Sequence, residues 1–162
     1  WRIDMSIDCH LKLEGVEGES THAKHKEEIV LSTWTWGVSN SSDAQGGGMA
    51  VGKGKAQDLA FSKKFDSSSA NISKYCAAGK HFKEAKLSMS LAGGKQEDFL
   101  IITLKEVFIN SHQVSASTGG EVMDTVSLSY SDIEYAYKPQ KADGTQGGEI
   151  KFGWNVRTTE TS

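Results

Sequence analysis

The sequence predicts a mainly β fold, a barrel or a sandwich of about eight strands, with one helix beside it and one long extended loop. Apolar residues recur at every second position in most of about eight strand-like runs, and a period of two marks strands that bury one face. Only one stretch has helical spacing. Glycine (17) far outnumbers proline (1), which suits turns between strands better than disordered linkers. A chain of 162 residues is one domain on length, residues 1–162, and it buries roughly 70% of its unfolded surface.

The elements follow in order. Ile3, Met5, Ile7, Cys9, Leu11 and Leu13 alternate strictly with Arg2, Asp4, Ser6, Asp8, His10 and Lys12, a half-buried strand. Gly15 to Lys26 is polar and reads as a loop. Ile29 to Val38 is the second strand, with Trp34 and Trp36 on one face and Thr33 and Thr35 on the other. Ser39 to Lys55 then reads as a structureless stretch rich in glycine and serine. Leu59, Phe61, Lys63 and Phe65 alternate again.

The helix comes next. Asp66 and Ser67 can cap its start, Ile72, Tyr75 and Cys76 form its apolar stripe, and Gly79 can end it. Leu87, Met89 and Leu91 form a strand turned by Ala92 to Lys95. Phe99 to Ile109 is apolar on both faces at first, which suggests a strand covered on both sides. Val126, Leu128 and Tyr130 alternate in even phase, whereas Ile133, Tyr135 and Tyr137 are odd. That slip at Ser131-Asp132 predicts a bulge or sharp bend. After a glycine-rich turn at Asp143 to Gly148, the run Ile150, Phe152, Trp154 and Val156 closes the series. No internal repeat or domain boundary is apparent.

Composition narrows the function. Lys plus Arg is 18 against 21 Asp plus Glu, a net charge of −3, and no basic stripe interleaves with aromatics, which argues against nucleic acid. No apolar run approaches the ~18 residues of a membrane helix, so no membrane insertion is expected. Charges occupy the N-terminal stretch where a signal peptide places its apolar segment. Cys9 and Cys76 are the only cysteines, and both read as buried reduced thiols.

Candidate chemistry is sparse. Gly47 to Lys53 fits most of a phosphate-binding loop, but Gly54 stands where the magnesium-binding hydroxyl belongs and a strand pattern follows where a helix should. His22 and His25, near Glu27 and Glu28, are metal-binding residue types. Yet His-x-x-His does not share one strand face, and lysines flank His25, so the segment reads as a solvated charged loop. Glu27-Glu28 and Glu97-Asp98 point to opposite strand faces and make no acid–base couple. No serine sits in a nucleophile elbow with a His–Asp partner. Trp34, Trp36 and Trp154 read as core anchors. The chain is therefore expected to be no enzyme, to need no cofactor and to hold no metal.

The long loop remains. Its few apolar residues, Met49, Ala50 and Val51, cannot order it in isolation, whereas pairing its backbone with another chain would.

Seven blocks of the sequence carry a resemblance. "LEGVEGES", "KHKEEIVLSTWTWG", "QDLAFSKKFD", "GKHFKEAKL", "LIITLKEVFI", "SLSYSDIEYAYKPQKADG" and "FGWNV" occur in order across nearly the whole chain. With them the chain resembles the hemolysin-coregulated protein (Hcp) family, the inner-tube subunits of bacterial type VI secretion systems. The resemblance implies a β-barrel with one flanking helix that assembles as a homohexameric ring with a wide channel. It implies rings stacked into a tube, tipped by a spike protein and enclosed by a contractile sheath whose contraction expels the tube. It also implies small effectors carried in the channel, and a protein that assembles in the bacterial cytoplasm and is then secreted without a signal peptide. The opening Trp1-Arg-Ile-Asp is unlike the family's usual short start, and Ala70 or Asn71 stands where the family often has proline. The chain ends shortly after its last strand, so no fused toxin domain is expected.

On this reading Gly46, Gly47, Gly48, Met49, Ala50, Val51, Gly52 and Lys53 form a ring-contact and stacking loop, where glycine allows close backbone approach. Thr33 and Thr35 become candidate channel-lining residues, because their face opposes that of the two tryptophans. The alternative is a monomeric ligand-binding barrel, a carbohydrate module using Trp34, Trp36 and Trp154.

Overall fold

The computed structural model describes residues 6–43, 50–92, 97–141, 143, 145–158 and 160–162, and the side chains of 41–43 and 50–53 lie outside that description. The chain runs through β1 (Ile7–Leu13), β2 (Ile29–Leu31), β3 (Thr33–Thr35), β4 (Val38–Asp43), β5 (Ala50–Ala56) and β6 (Leu59–Lys64) to the helix α1 (Ser69–Ala78). It continues through β7 (His81–Leu91), β8 (Asp98–Ala116), β9 (Val122–Ser129), β10 (Asp132–Tyr137), β11 (Ile150–Asn155) and β12 (Glu160–Thr161).

Strand pairing builds a barrel wall. β2 and β7 flank β1, β7 pairs with β8, β8 with β9, β9 with β6, and β6 with β3, all antiparallel. β3 follows β2 directly in the chain, with only Ser32 between them. The Ser32 N–H is donated to Ser62 O at 2.9 Å, so here the chain changes partner from β1 to β6. The seam of the barrel is this covalent bend rather than a ladder.

The expected single strand from Ile29 to Val38 is thus three pieces. Ser32 interrupts it first, and Trp36-Gly37 interrupts it again before β4. A Cβ on Gly37 would meet Gln57 Oε1 at 2.9 Å, and Gly37 O accepts the Gln57 N–H at 2.9 Å. The chain turns off the barrel there. The expectation of a structureless Ser39–Lys55 is also corrected: β4 and β5 pair antiparallel from Val38↔Ala56 to Asp43↔Ala50, with an irregularity between Asn40 and Ser42. Ladder hydrogen bonds form whatever the side chains, so glycine and serine in weak strand formers did not prevent pairing.

β8 explains the phase slip. Its first half pairs with β10, Leu100↔Tyr137 to Lys105↔Asp132, and its second half with β9, Phe108↔Ser129 to Ala116↔Val122. The switch falls at Glu106, whose φ of 52 is left-handed. Opposite it, Ser131 donates both its N–H and its Oγ–H to Lys105 O, at 3.0 and 3.2 Å. The chain therefore bends sharply between β9 and β10, as the change of register anticipated. β8 also runs further than Ile109, because polar Asn110 to Ala116 finds a ladder partner in β9. Beyond β10 lie β11 and the short β12.

The core is the inward set of the alternating runs: Leu11, Ile29, Leu59, Phe61, Leu87, Leu104, Val126 and Leu128 are all buried. α1 covers one end through Ile72, and Tyr75 meets Phe82 edge-on with centroids 5.7 Å apart. Its N-cap is Ser68, one residue beyond the expected Asp66-Ser67. Asp66 still faces the first turn by accepting the Ser68 N–H at 2.9 Å. Gly79 ends the helix at φ 68, while the Lys80 N–H is donated to Tyr75 O at 3.1 Å.

Candidate functional site

Two kinds of place in this fold have functional potential: edges and faces left unpaired, and charged clusters held inside. Among the described residues β4 and β5 form a sheet of their own, paired only with each other. Among the described residues β11 pairs with β12 only at Trp154 and Asn155, so Ile150 to Phe152 have one side without a described partner strand. Exposed apolar side chains gather beside these edges. Tyr137 and Ile150 are cross-strand partners on β10 and β11, and Val38 opens the hairpin. A second group, Phe65, Val114 and Val122, stands where β6, β8 and β9 end, with the Phe65 N–H bound to Val122 O. Ile7 on β1 and Val30 on β2 are exposed too, but on opposite faces of their ladder.

The residues singled out from sequence fall as follows. Gly46, Gly47, Gly48 and Met49 lie outside the described residues. Ala50, Val51, Gly52 and Lys53 belong to β5, so strand rather than helix surrounds the phosphate-loop lysine. The base of this hairpin is anchored: a Cβ on Gly54 would lie 3.3 Å from Trp154 Cη2, an approach only glycine permits without displacement. Trp154 is buried. Trp34 and Trp36 are half-buried against the core, and Thr33 and Thr35, which alternate with them, are exposed. Trp36 Nε1–H is donated to the Tyr130 hydroxyl, which in turn donates to Gln57 O at 2.7 Å. Burial holds the Tyr130 phenol above its ordinary value. Neither Trp36 nor Trp154 is laid flat as a sugar platform; Trp36 packs edge-on to Tyr135 at 6.3 Å. Cys9 and Cys76 are free thiols, and burial pushes Cys9 above its ordinary value.

Two polar clusters escaped the sequence reading. In the first, Lys63 on β6 faces Asp124 on β9 across the ladder, both without exposed surface. Lys63 Nζ donates to Asp124 Oδ2 at 2.6 Å, Asp66 Oδ1 at 2.8 Å and Ser69 Oγ at 2.9 Å. Ser69 Oγ–H is donated to the same Asp124 oxygen. His112 Nε2 lies 3.1 Å from Asp124 Oδ1, and its Nδ1 is 2.7 Å from Ser73 Oγ. Burial alone would raise the Asp124 carboxyl, but the hydrogen bonds from Lys63 and Ser69, with the His112 ring close to its other oxygen, hold it below the ordinary carboxylate value. Ser73–His112–Asp124 has the order of a catalytic relay, yet the carboxylate is already neutralised by Lys63 and the serine sits mid-helix rather than on a strained turn. The cluster ties α1 to the barrel. The signal was present in the alternation: Lys63 is in phase with buried Leu59 and Phe61, and Asp124 with Val126 and Leu128.

The second cluster corrects the expected solvated loop. His25 is buried; its Nδ1 lies 2.8 Å from Glu28 Oε2 and its Nε2 2.8 Å from Asp98 Oδ1. His10 stacks on it with centroids 4.8 Å apart and planes 14° apart, and His22 closes the triangle at 5.0 and 5.2 Å. Sequence phase put His10 outward, but residues 17–28 fold back over that face of β1. Gly18 N–H is donated to Glu27 O, Ser20 N–H to Glu28 O, and Glu27 N–H to Ser20 O. Among the described residues no group of three His, Cys, Asp or Glu is arranged to hold a metal ion.

Comparison with known proteins places this architecture. The family model for the type VI secretion system effector Hcp matches residues 10–137. Protein hcp1 of Pseudomonas aeruginosa is 43% identical over 157 residues, covering 94% of this chain and 97% of that protein. A solved type six secretion system protein shares the fold with a TM-score of 0.91 at 29% identity, covering 97% of this chain and all of that one. Hcp1 of Salmonella typhimurium superposes with a TM-score of 0.79 at 31% identity, over 98% of this chain and all of that one. With the family model spanning most of the barrel and the relatives matching nearly end to end, the chain belongs to the Hcp family of type VI secretion.

Proposed function

We propose that this chain is a structural subunit of the type VI secretion tube, and that identical copies dock head to tail into a hexameric ring. The observation that carries this reading is the likeness to Hcp proteins over nearly the entire chain, edges included. The side of β11 without a described partner strand, the separate β4–β5 hairpin and the exposed Tyr137–Ile150 pair support it physically. Unpaired strand edges recruit another strand, and apolar patches beside them supply the driving force. A heterologous contact closes into a ring when its rotation divides the circle.

Four finer assignments go with the proposal. Gly46 to Lys53, at and beyond the hairpin's β5 arm, touch neighbouring subunits and stacked rings. Thr33 and Thr35, exposed beside the half-buried Trp34, line the channel and offer cargo their hydroxyls. The stacked tube carries small secreted effectors, meets a spike protein at its tip and is enclosed by the contractile sheath. It assembles in the bacterial cytoplasm and leaves without a signal peptide. A carbohydrate module is disfavoured, because the three tryptophans pack inward or edge-on. Native mass spectrometry decides the central point: a species of six chain masses is expected, and a monomer at high concentration would overturn the ring.

A further inference from the structure

The histidine cluster has no part in the assembly reading above, and it carries an inference of its own. Three imidazoles within about 5 Å of one another are uncommon, since each added proton repels the next. Here the three are not equivalent. His25 has a carboxylate at each ring nitrogen, Glu28 at Nδ1 and Asp98 at Nε2, an arrangement in which both nitrogens donate and the ring carries charge. His22 Nδ1 accepts the Lys24 N–H at 3.2 Å, which leaves the proton of its neutral ring on Nε2, a buried atom with no hydrogen-bond partner among the described residues. His10 is buried, and its Nδ1 likewise has no partner among the described residues. A proton added there would be a buried donor without an acceptor, on a ring lying flat against a cation.

The cluster also joins separate parts of the chain. His10 belongs to β1, His22, His25 and Glu28 to the segment folded over it, and Asp98 to the start of β8. The charged groups facing it are Asp8 of β1, Glu19 and Glu28 of the covering segment, and Asp98. A hollow of about 450 Å³ lined by Asp8, His10, Glu19, Ser20, His22 and Val30 opens beside the rings and gives protons a route.

We propose that His10, His22 and His25 form an acid-sensitive latch: with one proton charge on the stack, held by His25 between Glu28 and Asp98, it keeps residues 17–28 against β1 and the start of β8, and a second proton on the stack releases them. The signs of the two titrations agree with this. Burial, then the charges of His25 and His22, keep His10 below the ordinary imidazole value of 6.5. A depressed value in the folded chain means that its contribution is present above about pH 6.5 and is lost as the pH falls toward the folded value. Burial also opposes the charge on His25, but the hydrogen bonds to Asp98 and Glu28 outweigh it and hold His25 above 6.5. Its contribution is complete below that value and fades only as the pH climbs through the raised one. Acid therefore acts through His10, not by releasing His25 from its carboxylates.

Hydrogen exchange of the whole chain tests the latch. Between about pH 7.5 and about pH 5, amides of residues 17–28 are expected to lose at least about tenfold in protection, after correction for intrinsic exchange, while β7 and β8 amides hold theirs. His10→Phe keeps a flat ring in the stack but takes no proton, so it should retain protection at the acid end. Unchanged protection of 17–28 in the native chain overturns the latch, and so does equal loss in His10→Phe. Should that variant fold poorly, ring-nitrogen NMR of the native chain decides: protonation of His10 must coincide with the loss of protection, and protonation without it refutes the proposal.

Discussion

Lys63 has no exposed surface, yet its ammonium group meets two carboxylates and a hydroxyl within 3 Å. The arrangement removes a strand residue from water only because Asp124 stands opposite it in the ladder. Replacing one member strands the other: Lys63→Met leaves a buried Asp124 carboxylate with only Ser69 and His112 beside it and should cost about 3–5 kcal/mol in denaturant unfolding. A milder loss, below about 1 kcal/mol, would mean that water reaches the site. Asp124 also sets an acid limit. Its folded-state value lies below the ordinary 3.8, so its contribution is present above that value and disappears as the pH drops through the lower one. Stability of the wild type should therefore fall below about pH 4, and the Lys63→Met variant should lose much of that dependence. The inward phase of Lys63 was visible in the sequence, but its partner was not, because Asp124 lies 61 residues away.

At the scale of elements, α1 was readable from local signals. Its stripe, its acidic neighbour and its terminal glycine are short-range features, and only the cap moved by one residue. Gly79 adopts φ 68, where a Cβ crowds the following carbonyl. Space itself is not limiting, since the nearest atom to an added Cβ is Phe108 Cε2 at 3.8 Å. Gly79→Ala should thus cost about 1–2 kcal/mol of backbone strain, read as a lower denaturant midpoint at unchanged slope. The β4–β5 hairpin was not readable. Neither arm alternates, and what pairs them is ladder geometry together with the anchor of Gly54 on Trp154, a residue 100 positions on.

For the whole molecule, the proposed stacking role makes a separable prediction. Removing Gly46–Gly54 should leave the barrel folded, because the β1–β7–β8–β9–β6 ladders do not include those residues. Stacked tubes should be absent in electron micrographs of that deletion, and normal tubes would reject the loop as the stacking element. Intact hexamers without tubes would separate ring closure from stacking.

What the sequence determined by itself was everything that repeats locally. A two-residue period reports the pleat of one strand, and a three-to-four-residue spacing reports one helical face, so most of the barrel strands, the helix and much of the inward core set needed no knowledge of the fold, whereas the breaks after Leu31 and Thr35 and the β4–β5 hairpin did. Its successive blocks likewise sufficed to place the chain beside the Hcp family. Tertiary structure alone decided which strands pair, where β8 changes partner, and which polar residues are covered. His10 lay in an outward phase and became buried because a loop folded over it, and His25 found Asp98 across 73 residues. Contacts of that length depend on where the barrel brings its ends, and no local pattern records them.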